Sequence, residues 1–296
     1  MLKASRFLNP KSDVVFKKVF GCHENLLRSF LNAMMPLPKG KIIERLEYLT
    51  PEQVPVIPEF KRTIVDVKCF DQDGCHFIVE MQMEWTTSFA SRILYGASQA
   101  FVQQLKKGSS YQHLAPVYAL GLINENFDDS PEFYHHYKLR HAAQSHKTIE
   151  GLEIILVELK KFKPSNQNEK RLRALWIRFL NDTENMEDIP DDFKSFPELV
   201  EAMELTQESS YSRSELDYYH SYWDSVSSEK TLIGDAYTEG KMEGEAIGIQ
   251  KGKAEGEAIG VLKGKIETAK KLKSMGLTDD QILAATDLSQ GDLKGL

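Results

Sequence analysis

Cysteine is scarce in this chain of 296 residues: there are three, Cys22, Cys69 and Cys75, an odd number without metal-ligand spacing. That excludes a disulfide framework and points to a reduced, cytoplasmic setting. No apolar run approaches the length of a membrane span, and MLKASRFLNPKSDVVFKK lacks the unbroken apolar stretch of a secretory signal, so no membrane partner is expected. GxxxxGK[ST] is missing, which excludes an ATP-binding P-loop. GASQA at 96–100 has the outline of a nucleophile elbow, but it lies inside a helical pattern with no strand ahead of it. His135, His136 and His141 in HHYKLRH lack a ligand set and are expected on the surface. Basic charge is also short, with 37 Lys and Arg against 44 Asp and Glu, a net charge of −7. Taken as a total, that balance speaks against a nucleic-acid partner.

The distribution of charge changes this. Residues 1–50 hold nine Lys/Arg against four Asp/Glu, and residues 138–178 hold ten against four. Residues 181–239 hold three against sixteen. Acidity is therefore segregated: either the basic segments face phosphates, or the acidic stretch folds back on them.

With 41% hydrophobic and 27% charged residues, the chain has an ordinary globular composition. SDVVFKKVFG reads as a helix, with Ser12 as its N-cap and Gly21 ending it, and ENLLRSFLNAMM as a second helical segment. KIIERLEYL fits a strand, followed by a hairpin across TIVDVKCFDQDGCHFIVEMQM. TTSFASRILYGASQAFVQQLKKG has Phe89, Ile93, Ala97, Phe101 and Leu105 at helical spacing, with Thr86 or Thr87 as cap and Gly108 as stop. PVYALGLINENF reads as a strand covered on both faces, LEIILVELKKF as another strand, and EKRLRALWIRFL as an amphipathic helix. Up to residue 124 the order is helix, three strands, helix, strand.

Past residue 230 glycine recurs every fourth position, from Gly240 to Gly264. The intervening Glu, Lys, Ala and Ile favour helix, although each Gly costs about 1 kcal/mol against Ala. The stretch is either a solvated, weakly helical linker or a stripe of bare backbone for helix pairing between chains. In the last stretch Thr278 and Ser289 are candidate caps of two short helices, which suit a packing or oligomerisation module better than a recognition helix. The expected division is a domain over 1–230, including an acidic helical segment at 181–230, a tail over 231–275 and a small module over 276–296.

The hairpin raises a chemical question, because Asp66 and Glu80 sit in otherwise apolar runs. Gln72-Asp73-Gly74 suits a three-residue loop with Gly74 in the left-handed position. That register pairs Asp71 with Cys75 and therefore Asp66 with Glu80, on one face. Either this face is open to water, or the two repelling carboxylates hold something positive. Oxygen ligands of this kind suit Mg²⁺ or Mn²⁺, and Gln82 projects beside them.

An aspartate on strand two and Glu-x-Gln on strand three, within that element order, resembles the PD-(D/E)XK nuclease fold. NPKSDVVFKKVFG, IVEMQM, RILYGASQAFVQQLKKGSSY and LEIILVELKKF, in sequence, resemble the Rpn family of recombination-promoting nucleases and transposases in that superfamily. The glycine-rich tail and GLTDDQILAATDLS are similar to that family's C-terminus. The resemblance implies an α/β protein, with a restriction-endonuclease-like core (helix, three strands, helix, strand) and a helical C-terminal extension. It implies a Mg²⁺-dependent DNA endonuclease, Mn²⁺ serving as well, linked to recombination or mobile elements. The alternative is a catalytically weak DNA-binding or self-assembling protein that keeps the fold. Asp66 and Glu80 are the implied metal carboxylates, with the Met81 backbone carbonyl a further ligand and Gln82 the third catalytic position. Asp13 and Lys17 come from the family-like N-terminal motif and are auxiliary candidates at metal and phosphate, with helix capping and a solvated face as the plainer readings. Arg92, Tyr95 and Gln103 lie on the following helix as further auxiliary candidates, one or more of them expected to face the site. DNA is the implied partner, and a homo-oligomer through the tail is expected. Two departures stand out: Gln82 occupies a place usually held by lysine, and Val65 a place often held by proline.

Overall fold

The computed structural model describes residues 7–53, 63–105, 108, 110–163 and 171–293. Two helices open the chain, α1 (Asp13–Phe20) and α2 (Glu24–Met34). Ser12 stands at the N-cap of α1 and Gly21 closes it through its N–H to the Lys17 carbonyl. Short strand β1 (Leu46–Tyr48) follows, then the two-residue strands β2 (Glu52–Gln53) and β3 (Thr63–Ile64), which pair with each other. The hairpin is β4 (Val67–Asp71) and β5 (His76–Gln82), leading to α3 (Thr87–Val102) and β6 (Val117–Ile123). Strands β7 (Tyr134–His141) and β8 (Gln144–Glu158) form a second hairpin. Helices α4 (Arg171–Asp182), α5 (Pro197–Leu205), α6 (Arg213–Ser274), α7 (Asp279–Thr286) and α8 (Gln290–Leu293) complete the described chain.

The main sheet has six strands in the order β1-β4-β5-β6-β8-β7. β5, β6 and β8 run parallel, and the outer pairings are antiparallel. Alternation along the strands serves two cores. Val67, Cys69, Phe77, Val79, Leu120, Leu122, Ile155 and Val157 face one core, with Phe16, Phe20, Phe30, Trp176 and Phe179 from the helices α1, α2 and α4. Ile78, Val117, Ala119, Ile123 and Leu156 face the other, against Phe89, Ile93, Ala97 and Ala100 of α3. β6 is buried along its whole length, as its unbroken apolar sequence predicts. Gly121 lets α3 approach: a Cβ there would lie 2.9 Å from Leu156 and 3.0 Å from Phe89.

Three expectations need correction. KIIERLEYL contributes only Leu46–Tyr48 to the sheet, because Asn32 on α2 bonds both the N–H and the carbonyl of Ile43, each at 2.8 Å, and holds the preceding chain on the helix. The helix α3 ends at Val102, short of Leu105 and Gly108. Beyond it the Gln104 side chain bonds the Ala115 backbone at 2.8 and 3.0 Å and ties the chain to the start of β6. HHYKLRH is a strand, and β8 begins at Gln144, well before LEIILV. This outer hairpin is exposed through most of β7 and through residues 144–150, so it carries no apolar alternation for the sequence to display.

The acidic stretch folds back on the N-terminal segment. Asn9 donates to Glu184 at 2.7 Å, Asn25 donates to Glu201 at 2.7 Å, and Lys18 lies 3.9 Å from Glu215.

The chain forms two compact units, Met1–Ser228 and Glu229–Leu296. In the second, a small core of Ala269, Ile282 and Leu288 joins the end of α6 to α7, whose capping box uses Thr278 and Gln281. Ile247, Ile249, Ile259 and Val261 of α6 are 45–73% exposed. Among the described residues no helix is long and apolar enough to cross a membrane.

Candidate active site

The hairpin turn has the geometry its sequence predicts. Gly74 has φ +76°, its N–H bonds the Asp71 carbonyl at 3.0 Å, and the Asp71 N–H bonds the Cys75 carbonyl at 3.0 Å. The pairing runs from Phe70 opposite His76 to Val67 opposite Val79, and Asp66, next along the chain, lies near enough for its charge to act on Glu80. Asp66 occupies a bend just ahead of β4, and its Oδ2 accepts the Met81 N–H at 2.6 Å. Glu80 and Gln82, in step with Ile78, lie on the face that α3 covers, at the end of β5.

α3 sends Arg92 over this end of the sheet. Its Nε is 3.6 Å from Glu80 Oε2, and its terminal nitrogen donates to Gln82 Oε1. The Gln82 amide nitrogen donates to the Glu84 carbonyl at 2.8 Å, so both ends of the amide are held. The Gln82 backbone carbonyl accepts the Asn124 N–H at 2.9 Å, and Lys11 Nζ donates to Asn124 Oδ1 at 2.9 Å. From α1, Asp13 and Lys17 form an ion pair at 2.7 Å, and the Tyr218 hydroxyl donates to Asp13 at 3.2 Å.

The electrostatics of this cluster suit a cation. Burial pushes the Asp66 carboxyl up to about 6; the Met81 amide opposes this, the Asp13 charge adds to it, and Lys17 and Arg92 work against it. Burial likewise raises Glu80 to about 7, opposed by Arg92 and reinforced by Asp66. Glu80 Oε1 is buried with no hydrogen-bond partner among the described residues. A buried carboxylate oxygen left unpaired is costly, and a divalent cation shared with Asp66 removes that cost. Among the described residues no group of three or more His, Cys, Asp and Glu side chains is arranged to hold a metal. Two neighbouring carboxylates are oxygen donors of the kind that suits a hard, oxygen-loving ion keeping several waters.

The structure gathers Asp66, Glu80, Met81, Gln82 and Arg92, and brings Asp13 and Lys17 close enough for their charges to act on Asp66. It does not gather Gln103. That residue caps the far end of α3, eleven positions from Arg92 or about 16 Å along the axis, and its Oε1 meets Lys68 at 3.5 Å. The histidine expectation is corrected in part. His135 bonds the fully buried Glu158 at 2.7 Å, and His136 bonds Glu153 at 2.6 Å; both are partly buried. Glu158 also accepts from Lys161 at 2.8 Å and from the Phe127 N–H at 2.8 Å, which fastens the β6–β7 loop. His141 is exposed. Sequence reasoning missed Lys11, Asn124 and Tyr218. Lys11 lies within NPKSD and was within reach of that motif, whereas Tyr218 carries no local signal.

A mixed six-stranded sheet with helices packed on both faces makes this an α/β protein. The chain belongs to the PD-(D/E)XK nuclease family transposases: the model of that family matches residues 10–236. The match takes in Asp13, Lys17, Asp66, Glu80, Gln82, Arg92 and Tyr218. No curated protein and no solved structure matches the chain significantly. Membership implies a phosphodiester hydrolase acting on DNA and linked to transposition, in a group that generally uses divalent metal ions.

Proposed function

We propose that this protein is a Mg²⁺-dependent DNA endonuclease, Mn²⁺ serving as well, built on a restriction-endonuclease-like core of α1, β1, β4, β5, α3 and β6. The observation that carries this reading is the buried Glu80 Oε1 near Asp66, without a hydrogen-bond partner among the described residues. Asp66, Glu80 and the Met81 carbonyl are the residues that hold the cation. When bound, the ion supplies Lewis acidity to a phosphoryl oxygen and lowers the pKa of a coordinated water. Arg92 stands 3.6 Å from Glu80 and offers positive charge where negative charge grows on the phosphate. Gln82 orients the attacking water through its remaining N–H, but as a neutral amide it takes no proton. Lys17 is the candidate phosphate contact on α1. Asp13 holds the Lys17 ammonium in place, and Tyr218 in turn bonds Asp13.

A second reading, a DNA-binding and self-assembling protein of weak catalytic power, draws on one observation. The Gln82 amide is engaged at both ends, by Arg92 and by Glu84. Plasmid nicking separates the two: the nuclease cuts with Mg²⁺ and stops with EDTA or in Asp66→Ala. A folded wild-type protein that retards DNA but never nicks it supports the second reading. Under either reading the glycine-rich tail serves self-association.

A further inference from the structure

The exposed part of α6 contains a direct repeat of twelve residues, EGEAIGIQKGKA (243–254) followed by EGEAIGVLKGKI (255–266), identical at nine positions. Its flanking residues form blocks around successive glycines. Glu243 and Glu245 flank Gly244, Ile247 and Ile249 flank Gly248, and Lys251 and Lys253 flank Gly252. The order then recurs as Glu255 and Glu257, Ile259 and Val261, and Lys263 and Lys265. Every residue from Glu243 through Lys263 is exposed, and Lys265 is half-buried beside Asp287 at 3.8 Å. A Cβ added at any glycine from Gly244 to Gly264 meets nothing within 4 Å.

Read from its other end, this block order is acid-for-base complementary to itself. We propose that the tail pairs with a second copy of this chain in antiparallel orientation, centred at Ala254; this rests on the self-association proposed above. At that centre Glu243 and Glu245 lie level with Lys265 and Lys263 of the second copy. Ile247 and Ile249 lie level with its Val261 and Ile259, and Lys251 and Lys253 with its Glu257 and Glu255. Two-fold symmetry repeats each match, so all six blocks are satisfied. A parallel, in-register pair would set Glu on Glu and Lys on Lys at the same four charged blocks, which is repulsive. The glycines suit close approach: a four-residue period drifts about 40° per step on a helix of 3.6 residues per turn. That drift is followed by right-handed crossings near −40°, the geometry of small-residue pairs.

The test uses the full chain with the exposed Cys22 replaced (Cys22→Ser) and one nitroxide label, at Met242→Cys or at Ala254→Cys. Pulsed dipolar spectroscopy then measures the distance between the two copies. The expected result is an axial separation of about 36 Å at 242, twelve residues from the centre on each copy, and none at 254. Equal short distances at both positions overturn the antiparallel register while leaving self-association standing. Absence of any distance between copies at either position overturns the pairing altogether. The charge argument has its own arm, Glu255→Lys with Glu257→Lys, which sets Lys against Lys and weakens association at least ~10-fold. Mixing that variant with Lys251→Glu, Lys253→Glu restores association. Unchanged association in the first variant overturns the charge matching.

Discussion

Asp66 and Glu80 hold protons more tightly in the folded chain than in the unfolded one, since burial lifts them from 3.8 and 4.5 to about 6 and about 7. A carboxyl with a raised folded pKa stabilises the fold at low pH, and that contribution is lost as pH rises through about 4 to 7. In EDTA, Asp66→Asn therefore gains stability over wild type between pH 4 and pH 8, by roughly 1–3 kcal/mol. Urea titrations at the two pH values check this, and a constant gap between the proteins would refute it. The same protons compete with a cation, so Mg²⁺-dependent nicking declines below about pH 7. Asp66→Ala and Glu80→Ala bring nicking to background with the fold retained, because each removes one of two repelling groups. Nicking assays paired with thermal melts decide it, and wild-type rates in both variants would mean the site lies elsewhere. Gln82→Lys keeps or raises activity, since an ammonium at that place can also stabilise the transition state.

At the level of elements, one substitution has opposite signs in different places. Gly121→Ala drives a methyl into Leu156, Phe89 and Ile93 between β6 and α3, and costs about 1–3 kcal/mol. Gly248→Ala meets open space on α6 and adds about 0.8–1 kcal/mol of helix propensity. Denaturation of the first variant and circular dichroism of the second measure these effects. Where helices pair along the glycine stripe, Gly248→Ala also pushes them apart, so helicity rises in the same variant whose association falls. The hairpin β4–β5 and its turn were legible because Gly74 and the period-two pattern are local. β7 was not, since its polar residues are ordered by β8 and by pairings such as His135 with Glu158.

For the whole molecule, the sheet and both its cores lie within Met1–Ser228, so the expected outcome of deleting 231–296 is a folded domain that keeps the proposed cutting activity. The change to expect is in association: light scattering gives at least a dimer for the full chain and a lower subunit count for the truncated one. Cutting by the truncated chain shifts toward single-strand nicks, because a double-strand break needs two sites on one duplex. Equal subunit counts for the two chains would remove the tail from self-association.

The sequence alone determined the helices α1, α2 and α4, the buried strand β6, the turn and register of the β4–β5 hairpin, and the periodic tail. Each of these depends on residues a few positions apart, whose spacing sets which face they share. Tertiary structure decided the rest. It brings Arg92 onto Glu80 and Gln82, Lys17 near Asp66, and Tyr218 to Asp13 across 205 positions of chain, and it parts Gln103 from the carboxylates. It also leaves Glu80 Oε1 buried without a donor among the described residues. Burial and pairing across such separations depend on how sheet and helices pack, which spacing along the chain does not encode.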